Sequence, residues 1–89
     1  MIIVEQDEKT IVNFNDVTKI YITSPIEIND GEFEIMAENE WITQILGYYK
    51  TEERAKEVLE EITDMYCRCN SEYGSIGYVR NRVYKMPKE

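Results

Sequence analysis

The chain has 89 residues, of which 43% are apolar, and a formal net charge of −8. At this length one domain with one modest core is expected, because a small domain buries only somewhat over ~60% of the surface that its unfolded chain exposes. The apolar content excludes general disorder, and no apolar run approaches the ~20 residues that span a bilayer. We therefore predict a single folded domain over residues 1–89 that does not enter a membrane.

The charge is distributed unevenly along the chain. Residues 1–66 carry 16 acidic and 5 basic side chains, whereas residues 67–89 carry 5 basic and 2 acidic side chains. The acidic body disfavours direct binding of nucleic acid, because lysine and arginine contacts to phosphate supply most of that affinity. It permits the opposite role, in which carboxylates occupy the basic groove of another protein.

Several kinds of chemistry are disfavoured. The chain contains no histidine, and Cys67 and Cys69 are too close for an ordinary disulfide and too few for a tetrahedral metal site. No pair of carboxylates has a spacing that points to acid–base catalysis. We predict no enzyme activity, no metal and no cofactor. The first residues lack a positive leader, which predicts a cytoplasmic protein.

The first half of the chain has the alternating pattern of strands. Short apolar runs at residues 2–5, 11–14 and 18–23 alternate with polar positions, and residues 6–9 are a polar hairpin loop. Pro25 ends the third run, since proline cannot donate to a strand ladder.

A second hairpin is predicted around residues 30–31, whose Asp-Gly sequence favours a type I′ turn. Closing the strands on that turn places Ile26 opposite Ile35, and Glu27 opposite Glu34. The next strand, residues 41–49 after a turn at residues 38–40, has apolar side chains on both faces. It is therefore either central in the sheet or in contact with a partner. Trp41 and Tyr49 share the less central face of this strand and have two open interpretations, core packing or a subunit interface.

A helix is predicted to begin after Thr51, a good N-cap followed by two glutamates. One apolar stripe runs along it, with Arg68 near its last turn and a loop at residues 70–75. A final strand at residues 79–85 completes the chain. The apolar stripe of the predicted helix consists of Ala55, Val58, Leu59, Ile62, Met65 and Tyr66. The predicted fold is α+β, an antiparallel sheet of about five to six strands with one amphipathic helix packed on it.

Four segments carry a resemblance to a known group of proteins. They read MIIVEQD at residues 1–7, IVNF at 11–14, LGYYKTEERAKEVLEEI at 46–62 and VYKMP at 83–87. In these the chain resembles small proteins of phages and prophages of Gram-positive bacteria, which open on a strand pair, continue with a similar helix start and close on Y-x-M-P. The resemblance spans nearly the whole chain except residues 24–40. It implies a protein that regulates host machinery or blocks host defence.

The basic carboxyl-terminal segment is the candidate ligand site. Arg80 and Arg82 alternate with their neighbours, so in a strand both guanidinium groups point to one side and can hold phosphate. Tyr78 and Tyr84 share that side and offer rings for stacking. The alternative is a charged edge strand that guards against aggregation. The candidate ligand-binding residues are Trp41, Arg68, Ser75, Tyr78, Arg80, Asn81, Arg82, Tyr84 and Lys85.

Three functions follow as hypotheses. The first is a phage-type anti-defence protein that sequesters a small phosphate-containing nucleotide signal, a cyclic nucleotide or an ADP-ribose derivative, in a pocket between the subunits of a homo-oligomer. The second is an acidic inhibitor that occupies the nucleic-acid groove of a host defence nuclease, as a DNA mimic would. It would use Glu27, Glu34, Glu38, Glu40 and the helix carboxylates. The third is a dimeric scaffold without a ligand.

Overall fold

The computed structural model describes residues 1–24, 31–76 and 83–89, with side chains as far as residue 68 in the second of these segments. Six strands, one short 3-10 helix and one long α-helix lie in this part of the chain. They are β1 (Ile2–Val4), β2 (Ile11–Asn13), the 3-10 helix (Phe14–Asp16), β3 (Lys19–Thr23), β4 (Phe33–Glu38), β5 (Thr43–Tyr49), α1 (Glu52–Ile76) and β6 (Val83–Lys85). No helix among these residues is long and apolar enough to cross a membrane.

The six strands form two sheets of three. One sheet has the order β2-β1-β6, in which β1 and β6 run parallel, and the other is antiparallel with the order β3-β4-β5. The predicted α+β class is confirmed, whereas the single sheet is wrong. The 3-10 helix Phe14–Asp16 separates β2 from β3, and β3 belongs to the second sheet. The other side of β1 pairs with β6, which follows α1 in the chain.

The pairing of β3 with β4 differs from the predicted hairpin. Ile35 lies opposite Ile22, and Glu34 lies opposite Thr23, so the predicted partners Ile26 and Glu27 are wrong. This register places the apolar residues of β3 on the same face as the buried side chain of Ile35. Gly31 has a φ of 76°, as the predicted turn requires, although residues 25–30 lie outside the described part of the chain.

Among the strands that the structure describes, β5 lies at an edge of its sheet and β4 is central. The strand begins at Thr43, two residues later than predicted, because the Asn39 side-chain oxygen accepts hydrogen bonds from the backbone N–H groups of Trp41 and Ile42. The pairing then shifts at Leu46, where a β-bulge lets Leu46 and Tyr49 both face the interior. The edge position does not fit a central strand, so contact with a partner is the interpretation of β5 that remains.

The long helix α1 begins as predicted. The Thr51 hydroxyl accepts a hydrogen bond from the Arg54 N–H at 3.1 Å, which is the N-cap interaction. Ala55, Val58 and Ile62 are fully buried. The predicted loop at residues 70–75, which includes Ser75, is wrong, because α1 continues to Ile76. Glycine and other weak helix formers each cost only about 1 kcal/mol or less, which a continuing helix tolerates.

One apolar core joins the helix to both sheets. It receives side chains from β1, β4, β5, α1 and β6 and from the segment after β6. The core therefore does not separate the two sheets into independent units. Its buried members are Met1, Ile3, Ile35, Ala37, Leu46, Tyr49, Ala55, Val58, Ile62, Tyr84 and Met86.

Gln6 connects the first sheet to the second. Its backbone N–H donates to the Leu46 carbonyl, and its side-chain oxygen accepts from the Tyr48 N–H at 2.8 Å. The two hydrogens of its side-chain nitrogen are shared among the carbonyl groups of Tyr48, Pro87 and Lys88. The Gln6 carboxamide thus forms hydrogen bonds with both the edge of β5 and the carboxyl-terminal segment.

Replacing Gln6 by alanine should lower the free energy of unfolding by about 2 kcal/mol, because backbone groups of Tyr48 and the carboxyl-terminal segment lose a partner that water replaces only in part. Urea denaturation measures the change. Asn15→Ala is the matched control, since Asn15 is exposed, and it should change the stability by less than about 0.5 kcal/mol. Equal stability of the two variants would contradict the role of Gln6.

Candidate functional site

The sequence-predicted ligand residues are only partly described. Tyr78, Arg80, Asn81 and Arg82 lie outside the described residues, and Ser75 is described in its backbone alone, within α1. The two-arginine clamp therefore stays a prediction. So does its alternative, a charged edge strand, although β6 does lie at an edge of the described sheet.

The other four predicted residues are not gathered in one pocket. Arg68 is exposed on α1 and pairs with Asp64 at 2.7 Å, Lys85 is exposed on β6, and Trp41 lies in the turn before β5. None of the described cavities is lined by two of these residues.

Tyr84 belongs to the core. It is 8% exposed, and its hydroxyl donates to the Glu61 carboxylate at 2.6 Å. Burial and this hydrogen bond raise the pKa of Tyr84 well above its ordinary value. The ring packs among apolar side chains, so stacking on a ligand has no support from its position.

An exposed apolar patch lies where the two sheets approach each other. Trp41 is 85% exposed, Ile42 is 54% exposed and Ile11 is 67% exposed. Ile11 and Ile42 line one cavity of about 160 Å³, together with the carboxylate-bearing residues Asp16 and Glu38. Core packing of Trp41 is thereby excluded, and the interface interpretation remains. We call Ile11, Ile42 and Trp41 the apolar patch, in which Trp41 precedes Ile42 in the chain but lines none of the described cavities.

Sequence reasoning identified Trp41 as a candidate but missed Ile11. Ile11 and Asn13 lie on the exposed face of β2, and the residue between them is partly buried. An apolar residue on the same face as a polar one was the signal that could have identified Ile11 as an exposed apolar side chain.

A second cavity, of about 460 Å³, lies between the turn after β1 and the edge of β5. Glu5 and Asp7 line it, together with Gln6, Tyr48 and residues 43–47. Gln44 lines both this cavity and the cavity at the apolar patch, so the two are neighbours. We call it the carboxylate cavity.

Glu5 is the unusual group of the carboxylate cavity. It is 7% exposed, and its Oε2 atom is buried with no hydrogen-bond partner among the described residues. Burial raises the pKa of Glu5, and the neighbouring charge of Asp7 raises it further. The sequence held a signal for this residue, since Glu5 continues the alternation of the buried Met1 and Ile3 toward the core.

Other site chemistries find no support in the described part of the chain. It contains no group of three or more side chains that could hold a metal ion, and Cys67 is a free, exposed thiol. Comparison with protein-family models, with curated protein sequences and with solved structures finds no match. The resemblance to phage proteins therefore stays a prediction.

Glu5→Gln should stabilise the protein at neutral pH by about 1–3 kcal/mol, because it removes a buried charge that lacks a full set of partners. The folded-state pKa lies above the ordinary glutamate value of 4.5, so the folded wild type binds more protons than the unfolded chain between these two values. Wild-type stability therefore falls as the pH rises through this window, and the variant loses that dependence.

Urea denaturation at several values between pH 4 and pH 7 measures the effect. The advantage of Glu5→Gln should be small at the acidic end and should grow as the pH rises. Glu40→Gln is the control, because Glu40 is exposed and should show little change. A pH-independent difference between wild type and Glu5→Gln would contradict the assignment.

Proposed function

We propose that this protein is a non-catalytic, acidic binding module that docks on a basic surface of a protein partner, as an inhibitor of a nucleic-acid-binding protein would. The observation that carries the proposal is the apolar patch beside a cavity lined by Asp16 and Glu38. Exposed tryptophan and isoleucine side chains of this kind serve as interface anchors, and surrounding carboxylates select a partner of opposite charge.

The surface charge supports a basic partner. The described residues carry 16 acidic and 8 basic side chains, which account for the whole net charge of −8. Arg54, Lys56, Arg68 and Lys88 each form an ion pair with a glutamate or an aspartate of the same chain. Half of the basic groups are thus already engaged, and the protein presents a negative surface.

A second copy of this chain fits the patch less well than a basic protein. An isologous contact centred on the patch would bring Asp16 and Glu38 of each copy close to the same residues of the other. Like charges in a partly desolvated interface repel, whereas a nucleic-acid groove already holds lysine and arginine at the spacing of phosphates. The resemblance to phage proteins favours a host protein as the target.

Trp41→Ala should weaken binding of the partner at least tenfold, because it removes the anchor of the patch. The wild type and the variant are immobilised, and a partner retained from a Gram-positive lysate is then purified and titrated. The fluorescence of Trp41, the chain's single tryptophan, should shift to the blue as it becomes buried. Val83→Ala is the control, an exposed apolar position that lines none of the described cavities.

The class of partner is tested by competition. Affinity should fall steeply with added salt, and duplex or single-stranded nucleic acid should displace the protein. A partner that binds Trp41→Ala as tightly as the wild type, or that nucleic acid does not displace, would refute the proposal.

The nucleotide-sequestration hypothesis remains a separate prediction, which rests on Arg80 and Arg82. If it is correct, calorimetry with cyclic dinucleotides and ADP-ribose derivatives should detect saturable binding. Replacing both arginines by glutamine should then weaken it at least tenfold, whereas Lys9→Gln should not. Absence of heat with every nucleotide of the panel would remove this hypothesis. Sedimentation of the complex would show whether two or more subunits enclose the nucleotide.

A further inference from the structure

Strand β2 has one open edge. It pairs with β1, and no other strand in the described part of the chain lies on its second side. Hydrogen bonds at the two ends of the β1–β2 ladder determine which of its backbone groups point to β1. The Glu5 N–H donates to the Thr10 carbonyl. At the other end, the Phe14 N–H donates to the Met1 carbonyl.

Three backbone groups of β2 point to this open edge. In an antiparallel ladder, residues that bond to the neighbouring strand alternate with residues that point away from it, so Ile11 and Asn13 point away from β1. The N–H and C=O of Ile11 and the N–H of Asn13 are not hydrogen-bonded to another described residue. The Asn13 carbonyl differs, because Asn13 is the N-cap of the 3-10 helix and its carbonyl begins that helix. The edge therefore offers two donors and one acceptor.

The cavity of about 160 Å³ at the apolar patch lies beside this edge. All three residues of β2 line it, whereas no residue of β1 or β6 does. Its other wall comes from residues between 37 and 44, at the end of β4 and the start of β5. A chain segment added along β2 can therefore place a side chain in the cavity.

The side chain of Ile11 gives an independent reason for a neighbour at this edge. On the outer face of the first sheet, Ile11 lies opposite Val4, and Val4 lies opposite Lys85 of β6. The row ends at Ile11, whose side chain is 67% exposed. A further strand would supply the next cross-strand neighbour and cover this apolar side chain.

We propose that the basic partner contributes an extended segment, which pairs with the open edge of β2 as an added strand. This inference deepens the proposed function and rests on it, because it states how the same surface recognises its partner. In strand addition, main-chain hydrogen bonds provide affinity, and side chains at alternate positions provide specificity. The segment carries an apolar side chain beside Ile11, and its basic side chains suit a cavity that Asp16 and Glu38 line.

A second copy of this chain fits the edge less well. In an antiparallel pair of β2 strands, Ile11 lies opposite Asn13 of the other copy. Continuing that register brings Glu8 of one copy near Asp16 of the other, and both side chains are exposed and acidic. Like charges at both ends of the contact are unfavourable, whereas a basic segment is attracted.

The probe is the synthetic peptide acetyl-Lys-Val-Arg-Val-Lys-Val-Arg-amide, in which basic and apolar residues alternate. NMR should show saturable shifts at β2. With the protein saturated, hydrogen exchange at the Ile11 and Asn13 amides should slow at least tenfold, because these N–H groups gain acceptors. The Val12 amide is the internal control, since it points to β1 and should change little. Absence of saturable shifts, or of slowed exchange at Ile11 and Asn13, would overturn the proposal.

Two N-methylated versions of the peptide test the backbone contacts. Methyl groups on alternate amides block either the donors that face β2 or the donors that face away from it, and both versions keep every side chain. One version should bind at least tenfold more weakly than the parent peptide, and the other within about twofold of it. Equal affinities of the two versions would overturn the proposal, since contacts through side chains alone do not distinguish them.

Asn13→Pro removes a donor of the edge and leaves the ladder with β1, because the Asn13 N–H points away from β1. The φ of Asn13 is −81°, close to the value that proline requires. Asn13→Ala is the matched control, since both variants lose the oxygen that accepts from the Asn15 N–H. The peptide should bind Asn13→Pro at least tenfold more weakly than Asn13→Ala, because a hydrogen bond is lost and the proline ring obstructs the added strand. Equal binding to the two variants would contradict strand addition.

The two proposals fail separately. A purified partner that binds Trp41→Ala weakly but Asn13→Pro as tightly as Asn13→Ala supports the proposed function and overturns strand addition. A peptide that binds the edge as described, while the partner is indifferent to Trp41→Ala, refutes the proposed function and supports the β2 edge as a binding site. Sedimentation tests the remaining occupant. Self-association that Asn13→Pro abolishes and Asn13→Ala retains would identify a second copy and overturn the proposal.

Discussion

The two sheets share no strand ladder, and the hydrogen bonds of Gln6 join them. Its backbone N–H and its carboxamide pair with Leu46 and Tyr48 much as a neighbouring strand would, so they cover part of the free edge of β5. Gly47 allows this close approach. A Cβ at that position would lie 3.3 Å from the Gln6 Cβ and 3.1 Å from the Tyr49 hydroxyl oxygen, so a side chain would push the strand away from Gln6.

This junction determines where the candidate sites lie. Gln6 covers the β5 edge at Leu46 and Tyr48, and the two cavities meet farther along the strand at Gln44. On one side Ile11 and Ile42 are exposed, and on the other side Glu5 is buried without a full set of partners. Both features are unfavourable in an isolated domain. Local departures of this kind from optimal packing are typical of functional surfaces, where a ligand completes the interactions.

The elements that local pattern controls could be predicted from the sequence. Thr51 begins the helix and the turn at residues 38–40 precedes β5, because capping and turn chemistry act over a few residues. The division into two sheets could not be predicted, since the parallel pairing of β1 with β6 depends on contacts across the whole chain. The end of α1 was missed because turn-forming residues are only weakly unfavourable in a helix. Of the candidate site, the sequence indicated Trp41 but gave no direct sign that Ile11 and Glu5 flank the same junction.

The apolar patch and the carboxylates beside it have consequences for affinity that neither has alone. A small domain presents few surfaces large enough for a stable interface, so a partner must gain much of its binding energy from a few well-placed groups. Ile42 and Glu38 line the same cavity, so an apolar group and a basic group of one partner segment can contact them together. When one group is bound, the other is held at a high effective concentration. The combination selects for a partner that is both basic and apolar, because a basic surface without an anchor is sensitive to salt and an apolar anchor alone does not distinguish a basic partner from others.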